Sequence, residues 1–440
     1  MEKFIEKLKS KIESAGLTAD IYLERSVRSE IGANDGAIEK VQESDSFGAA
    51  VRVFKDGRMG FAWTTSPDPE EAVKIIEKAR DTMFVDGYSG LDFKPLKNSG
   101  GIKMNDPVFE SVTLEKKKAR ALEIEAAAKA ASPKVKFVRD TTCVDILSST
   151  SYFNTSGAQY DYEKTYSYAF TSAIASDGVH DEAADVMEGS ALWQGVDPAE
   201  LGKQAGLRAA SLLTGGQVPT GEYTLIIPPY AAVEFLQVIS PMFSAANLRK
   251  GKTLLAGAAE GDEIASGHVT LVDDPCMDYG AGSYPADGEG FEGTKKKLID
   301  AGRFKGFLYD MKEAAFYKKA SSGNSIRSSF KALPEPGVSN FYFEPGKENT
   351  GNILKKQKGI FINSMMGLHM TDTVSGNFSL GMNGWIFENG EKKGAVKEVL
   401  ITGNIKDFLK KITAVCDDLK FYMNFGSPTV IATGITVAGR

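Results

Sequence analysis

Cysteine is scarce in this sequence of 440 residues. The three cysteines, Cys143, Cys276 and Cys416, lie far apart and form no Cys-x-x-Cys pair. An odd number of widely spaced cysteines is typical of reduced thiols, whereas a disulfide framework needs cysteines in pairs. This pattern favours a cytoplasmic location. Cys416 lies in the apolar pattern FLKKITAVCDDL and is predicted to be a buried helix residue.

Histidine is equally scarce, with His180, His268 and His369 far apart in the chain. A zinc site usually includes at least one closely spaced pair of ligands, because neighbouring residues fix the geometry of the ion. His180 has acidic neighbours, so a metal or base role stays open beside a solvent-facing one. His268 is expected to be structural. His369 lies among Gly, Thr and Ser, where contact with a ligand and local hydrogen bonding are both open.

Several familiar motifs are also absent. No GxxxxGK[ST] or GxSxG sequence occurs, and GAGSYP (280–285) lacks the third glycine of a dinucleotide-binding loop. The net charge is −6 and the basic residues are scattered, whereas nucleic-acid binding needs a concentrated basic surface. No run approaches the ~18 apolar residues of a membrane-spanning helix. The sequence therefore predicts neither a nucleic-acid nor a membrane partner.

A chain of this length is too long for one hydrophobic core, and its patterns favour three regions. Residues 1–90 are predicted to form an α+β domain that begins with an amphipathic helix and continues as an antiparallel meander. Within it, KDGR (55–58) predicts a hairpin turn. A helix after Ser66 or Asp68 follows, with either residue as its cap. Residues 86–107 are rich in Gly, Pro and polar residues and are interpreted as a linker.

Residues 108–216 are predicted to form a central α+β segment packed with the first domain. A helix capped by Thr113 precedes strands over 135–193, with a turn at NTSG (154–157). A second helix is predicted to start at Asp197 and to stop at the glycine pair 215–216.

Residues 219–440 are predicted to form a β-rich domain with few helices. Short strand patterns bounded by Gly or Pro dominate, and 27 of the 45 glycines of the chain lie in this half. Helices are expected at 229–240, near 294–301 and at 405–419. The fold class is therefore α+β: a two-part mixed N-terminal region with antiparallel sheets, and a β-rich C-terminal domain that is barrel-like or an irregular sheet.

Asp287, Glu289 and Glu292 lie close together in the Gly-rich loop PADGEGFEG (285–293). Adjacent carboxylates can bind a cation or an amine, but the spacing of a calcium-binding EF-hand is missing. A structural turn tied by ion pairs to Arg303 or Arg327 is the other interpretation, and we favour it.

The order of segments in the second half resembles the TldD/PmbA family, also called TldD/TldE or "modulator of DNA gyrase". The resemblance covers nearly the whole chain and rests on DGEG (287–290), GNSIR (323–327), GNFSLG (376–381) and WIFENG (385–390) taken together. It implies a cytoplasmic zinc metalloprotease of two homologous subunits. The catalytic TldD-type subunit carries HExxxH on a helix after the first strand of the C-terminal domain.

That helix corresponds to PYAAVEFLQVISPMF (229–243), which contains Glu234 but no histidine or cysteine. A zinc hydrolase needs ligands that leave one position open for water, and a carboxylate to take the proton of that water. The chain is therefore identified as similar to the PmbA (TldE) subunit. No catalytic or metal-binding residue is expected in it, and zinc is expected on a TldD-type partner.

Three functional hypotheses follow. In the first, the chain is the non-catalytic subunit that encloses unfolded or small peptides, holding them by backbone hydrogen bonds at a strand edge, with His369, Asn324 and Arg327 as substrate contacts. In the second, it is a peptide- or protein-binding regulatory protein, homodimeric and without proteolytic activity. In the third, it is a protease by itself, with a metal at His180 or at Asp287 and Glu289.

Overall fold

The computed structural model describes residues 2–85 and 101–440. Most of the predicted linker at 86–107 therefore lies outside the described residues. The strands of the first half are β1 (Thr18–Asn34), β2 (Ala37–Lys55), β3 (Arg58–Thr64), β4 (Phe84–Val85), β5 (Val135–Asn154), β6 (Gln159–Ser176) and β7 (Asp181–Ser190). They form one sheet in the order β4-β3-β2-β1-β5-β6-β7, in which all neighbours are antiparallel.

Two predicted turns of this sheet are confirmed. Between β2 and β3, Asp56 and Gly57 have φ values of 51° and 72°, the left-handed conformation that a two-residue hairpin requires. NTSG (154–157) connects β5 to β6.

Four helices accompany the sheet: α1 (Glu2–Ser14), α2 (Pro69–Asp81), α3 (Leu114–Ala130) and α4 (Pro198–Leu212). The Asp68, Thr113 and Asp197 side chains accept hydrogen bonds from the first turns of α2, α3 and α4, as the sequence predicts. The apolar face of α1 is fully buried, which confirms the amphipathic helix. Because α1 and α2 pack on β1 to β3, and α3 and α4 on β5 to β7, two separate cores form on one sheet.

The opposite face of the sheet is also covered. Along β1, Ile21 and Leu23 point to the helices, whereas the alternate residue Tyr22 packs with Tyr160 and with Ala286 of the C-terminal half. Alternating side chains of a strand face opposite sides, so both sides of β1 are buried here. The sheet is thus a middle layer between the helices and the C-terminal half.

Short strands dominate the second half: β8 (Gly221–Ile227), β9 (Leu271–Asp273), β10 (Lys296–Asp300), β11 (Arg303–Phe304), β12 (Ser325–Ile326), β13 (Glu335–Pro336), β14 (Phe341–Phe343), β15 (Lys358–Met366), β16 (Asn377–Glu388), β17 (Glu391–Asn404), β18 (Ile412–Val415), β19 (Lys420–Tyr422), β20 (Phe425–Ser427) and β21 (Val430–Ala438). One sheet has the order β17-β16-β15-β8-β21-β18, and β17 also pairs with β21, which closes five of its strands into a ring. A second sheet has the order β11-β10-β9-β14-β20-β19.

The helices of this half are α5 (Pro229–Ile239), α6 (Ala245–Arg249), α7 (Met311–Tyr317), α8 (Thr350–Leu354) and α9 (Ile405–Lys410). The predicted α+β class, with antiparallel sheets first and a strand-rich C-terminal domain, is confirmed. The domain boundaries 1–90, 108–216 and 219–440 stay a prediction. None of the described helices combines the length and the apolar character that crossing a bilayer requires.

Two predicted helices are wrong. The stretch near 294–301 forms β10, which pairs with β9 and β11. The stretch 405–419 begins as α9, but the helix ends at Lys410, and Ile412–Val415 pairs with β21. Cys416 is buried as predicted, but it follows β18 instead of lying in a helix. Pairing partners distant in sequence override local helix propensity in both places.

Candidate functional site

Helix α5 directly follows β8, the strand that opens the C-terminal domain. Its inner face is apolar, and Phe235 stacks on Phe408 with ring centroids 4.5 Å apart. Tyr230 and Glu234, four residues apart, share the other face. The helix therefore carries one phenol at the margin of the core and one half-buried carboxyl, with no histidine or cysteine.

Tyr230 is held between two parts of the chain. Its hydroxyl donates a hydrogen bond of 3.1 Å to the carbonyl of Ile362, and the guanidinium of Arg208 lies 3.9 Å from its ring centroid. Arg208 belongs to α4, so this cation–π contact joins the central segment to the C-terminal domain. Glu234 is half-buried, and loss of water raises the pKa of its carboxyl to about 7.

A second cation lies near Arg208. The Nζ atom of Lys392 is 3.5 Å from the Trp385 ring centroid and 4.4 Å from that of Phe361. Burial lowers the pKa of Lys392 to about 8, and the nearby charge of Arg208 adds to this effect. This region offers cations, aromatic rings and one carboxyl of near-neutral pKa, which suit binding and proton exchange.

Residues Leu368–Met370 form a 3-10 helix in contact with α5. This places the backbone of His369 beside α5, while the histidine side chain is outside the described part of the structure.

Asn324, the second predicted substrate contact, is fully buried. Its Nδ2 donates to Asp273 Oδ2 at 2.6 Å and to the Gly337 carbonyl at 3.1 Å, and its Oδ1 accepts from Lys296 Nζ at 2.6 Å. Three internal hydrogen bonds fix this amide. Its role as a substrate contact stays a prediction.

Arg327, the third predicted contact, lies where the first sheet meets the C-terminal half. Its Nε donates to the carbonyl of Gly288 at 3.0 Å, and its guanidinium lies 5.0 Å from the Tyr22 ring centroid. It lines a cavity of about 260 Å³. Arg327 and Asn324 thus lie in one region of the structure, and the backbone of His369 lies in another, beside α5. The β19–β20 hairpin connects the two regions. Its strands contact α5, and Met423 and Asn424 at its tip line the cavity.

Sequence reasoning missed a buried charge cluster at this junction. Arg52 on β2 pairs with Asp20 on β1 and, at 2.8 Å, with Glu289 in the Gly-rich loop, and all three side chains are almost inaccessible. The other Glu289 oxygen accepts from the backbone N–H of Met311 at 2.8 Å. The sequence did contain a signal of this buried ion pair, because Asp20 and Arg52 are charged residues that each interrupt an apolar strand segment.

The Gly-rich acidic loop is built as a structural turn, but its ion-pair partner differs from those predicted. Glu289 pairs with Arg52, whereas Arg303 pairs with Glu263 on the surface. The Asp287 carboxylate accepts hydrogen bonds from three backbone N–H groups, of Glu289, Phe291 and Ser325. Burial, reinforced by the charge of Glu289, raises the Asp287 pKa to about 7.

The remaining histidines lie at the surface. His180 is exposed beside Asp177, with Nδ1 3.6 Å from Oδ2 of that residue. His268 is exposed in a turn before β9, and its expected structural role stays a prediction.

Three family models match the chain in sequence order. PmbA/TldA metallopeptidase domain 1 matches residues 19–82, the central domain matches 107–213 and the C-terminal domain matches 220–439. The chain belongs to the PmbA/TldD family.

Individual relatives of this PmbA/TldD-family chain cover almost its whole length. A metalloprotease of Methanothermobacter thermautotrophicus is 27% identical over 416 residues, which is 92% of this chain and 89% of the relative. The crystal structure of a protein described as a modulator of DNA gyrase, from Thermotoga maritima, superimposes with a TM-score of 0.91 at 25% identity, covering 99% of this chain and 100% of the other. TldE from Thermococcus kodakarensis gives a TM-score of 0.86 at 21% identity over 98% and 100% of the two chains, which shows a shared fold.

Relatives named metalloproteases imply a metal ion in this family, and a metal ion needs a set of donor side chains. Helix α5 offers Glu234 alone, and the side chains that the structure describes, which do not include that of His369, contain no group of three His, Cys, Asp or Glu residues arranged to hold a metal. The buried Asp287 and Glu289 are engaged by backbone N–H groups and Arg52. The donors in the described residues do not fit a hydrolytic zinc site.

Proposed function

We propose that this chain is the non-catalytic, PmbA/TldE-like subunit of a cytoplasmic TldD–TldE-type zinc metallopeptidase. The observation that carries the proposal is helix α5. It follows the first strand of the C-terminal domain, where the resemblance expects HExxxH, and it presents Tyr230 and Glu234 instead. In this proposal the TldD-type partner holds the zinc ion and cleaves the peptide.

The contribution of this chain would be to enclose and orient the substrate. Arg208, stacked on Tyr230 of α5, and the nearby Lys392, stacked on Trp385, would offer cations and aromatic rings to a peptide. The 3-10 helix that carries His369 also contacts α5. Backbone hydrogen bonds at a strand edge would hold the peptide extended, which suits unfolded or small peptides because a folded protein does not present such a segment.

A peptidase assay with separately purified subunits tests the proposal. The substrate is an unfolded peptide labelled with a fluorophore and a quencher, and the partner is a TldD-type homologue that carries HExxxH. We expect zinc-dependent cleavage by the mixture and none by this chain alone. Replacing the HExxxH glutamate of the partner with glutamine should abolish cleavage, whereas Glu234→Gln in this chain should leave most of the activity.

Two outcomes would decide against this role. Cleavage by this chain alone would show that it is a protease in its own right. Failure to associate with any HExxxH-bearing homologue, together with formation of homodimers that bind peptides without cleaving them, would favour a regulatory binding protein. This second function is considered because the similar structure from Thermotoga maritima is described as a modulator of DNA gyrase.

A further inference from the structure

Strand β7 forms one edge of the first sheet, and its outer side has no partner strand among the described residues. The strand is 10 residues long, pairs with β6 without a bulge and contains no proline. Natural proteins usually protect a free edge with a short strand, a bulge or a proline, because free backbone groups there attract a further strand. Strand β4, at the other end of the sheet, has only 2 residues. The β7 edge is thus a regular template for strand addition.

The backbone groups of alternate residues of β7 point away from the sheet. The N–H of Asp177 donates to the carbonyl of His180 at 3.2 Å, and this hairpin bond sets the alternation. Even-numbered residues of β7 therefore bond to β6, whereas odd-numbered residues direct their N–H and C=O groups outward. No group in the described part of the chain forms a hydrogen bond with these outward backbone groups. An added strand would find both donors and acceptors along this edge.

The two faces of β7 have different surroundings. Ala184 and Val186 are buried in the core that the sheet forms with α3 and α4. The odd-numbered side chains point to the opposite face, where Asp181, Ala183 and Asp185 are exposed and Met187 is 40% exposed. The residues with outward backbone groups are therefore also the residues with exposed side chains.

Two carboxylates on this exposed face have no counter-charge. Asp181 and Asp185 form no hydrogen bond or ion pair within the described part of the chain. The glutamates of the other face, Glu182 and Glu188, pair with lysines of the C-terminal half. The edge is thus negatively charged at two points of one face, four residues and about 13 Å apart along the strand.

Strand β7 ends near the region that the proposed function assigns to the substrate. Glu188, close to its C-terminal end, pairs with Lys420 on β19, and β19 also contacts α5. Helix α4 packs on β7 and carries Arg208, which stacks on Tyr230 of α5. A peptide along β7 would therefore lead toward α5.

We propose that the outer edge of β7 binds an unfolded peptide as an eighth strand of the sheet, with a preference for basic side chains four residues apart. The inference rests on the proposed function, since it names an edge and a peptide class for that substrate. Outward backbone groups would bind any extended peptide, whereas Asp181 and Asp185 would select lysine or arginine. A second copy of this chain is disfavoured as the occupant, because its own β7 edge is negatively charged.

Fluorescence anisotropy on the purified full chain tests the peptide preference. The first probe is a labelled peptide of about eight residues, rich in valine and threonine, with blocked ends and two lysines four residues apart. The second has the same composition with the lysines three residues apart, so that they lie on opposite faces. The third has glutamates in place of the lysines. We expect the first probe to bind about threefold more tightly than the second and about tenfold more tightly than the third.

Two variants of the chain locate the binding. Ala183→Pro removes one outward N–H at a position where an edge strand tolerates proline, and it should weaken binding of the first probe about tenfold. Asp185→Asn removes one charge and should weaken it about threefold. Asp161→Asn is the matched control, because Asp161 is exposed on β6 outside the segment that pairs with β7. Circular dichroism verifies that each variant is folded.

If Ala183→Pro does not fold, two N-methylated forms of the first probe replace it. Each form lacks the backbone N–H groups of one peptide edge, and only one of the two should bind. Equal binding of the three original probes would overturn the inference. No binding at millimolar concentration, or binding that neither Ala183→Pro nor Asp185→Asn weakens, would overturn it as well.

A cleavage assay separates this inference from the proposed function. The first probe is incubated with this chain and a TldD-type homologue that carries HExxxH, and a higher KM with Ala183→Pro would support the inference. Cleavage that this variant leaves unchanged would overturn the inference but not the proposed function. Binding of the first probe to β7 without cleavage by the mixture would support the binding edge and contradict the proposed function.

Discussion

Arg52 compensates two buried carboxylates, those of Asp20 and Glu289. Arg52→Met would remove the cation that both buried carboxylates share, leaving Glu289 unpaired and Asp20 with only Arg327 at 3.6 Å, and breaking a buried pair in this way typically costs about 3–5 kcal/mol. We therefore expect a large fall in the melting temperature of the variant, measured by differential scanning calorimetry at neutral pH.

Arg25→Met is the matched control, because Arg25 pairs with Asp45 on the same two strands but both side chains are about half exposed. Exposed ion pairs contribute little to stability, so this variant should melt like the unmodified chain. Equal losses in the two variants would contradict the assigned role of Arg52.

Glu234 predicts a pH effect on stability. Its pKa is raised from 4.5 to about 7, so the protonated carboxyl stabilises the fold fully below pH 4.5, and this contribution is lost as the pH rises through 7. Glu234→Gln stays neutral and should therefore be more stable than the unmodified chain at pH 8 by roughly 1–3 kcal/mol, but not at pH 4.5.

Thermal unfolding at both pH values tests this prediction, with Glu222→Gln on β8 as the control at an exposed position. The control should change stability by a similar small amount at the two pH values. A Glu234→Gln variant that is destabilised at pH 8 would indicate that the ionised carboxylate has a favourable partner.

At the scale of elements, the contact between α3 and α4 depends on two glycines. A Cβ atom at Gly202 would lie 2.1 Å from the carbonyl oxygen of Ile124, and one at Gly206 would lie 2.4 Å from that of Ala128. Gly202→Ala should push the helices apart and cost about 1–3 kcal/mol by overpacking. Chemical denaturation measures this loss.

Gly394→Ala serves as the control, because a Cβ atom there meets open space at an ordinary backbone conformation. This exchange should leave the midpoint of denaturation unchanged. A tolerated Gly202→Ala exchange would mean that α3 and α4 adjust their separation freely.

Elements with strong local signals could be predicted from the sequence. Asp68, Thr113 and Asp197 cap helices, and Asp56–Gly57 forms the predicted turn, because each depends on residues within one or two turns of chain. The structure of the stretches near 294–301 and at 405–419 could not be predicted from local signals, since strand pairing with β9 and β21 decides it.

The candidate sites were less predictable. The resemblance pointed to α5, but the contact of Arg208 with Tyr230 joins residues on two helices of different segments. The cavity of about 260 Å³ likewise combines β1 and β6 with a loop more than a hundred residues later in the chain. Only tertiary structure brings such groups together, although Arg327 was already a predicted contact.

At the scale of the whole molecule, the first sheet is a middle layer that is covered on both faces. Its helices cover one face, and the C-terminal half covers the other through Arg52, Glu289 and the tyrosines. The outer face of α5 lies where the central segment meets the C-terminal domain, through Arg208. This arrangement places the proposed substrate surface at a junction of segments, which is a common position for binding sites.

Zinc content is the most direct test of the central claim that this chain supports cleavage without performing it. The chain and a TldD-type homologue that carries HExxxH are purified separately, loaded with zinc, desalted and measured by inductively coupled plasma mass spectrometry. We predict about one zinc ion per homologue, as in a catalytic site, and only trace zinc in this chain. One tightly held zinc ion per molecule of this chain alone would contradict the account.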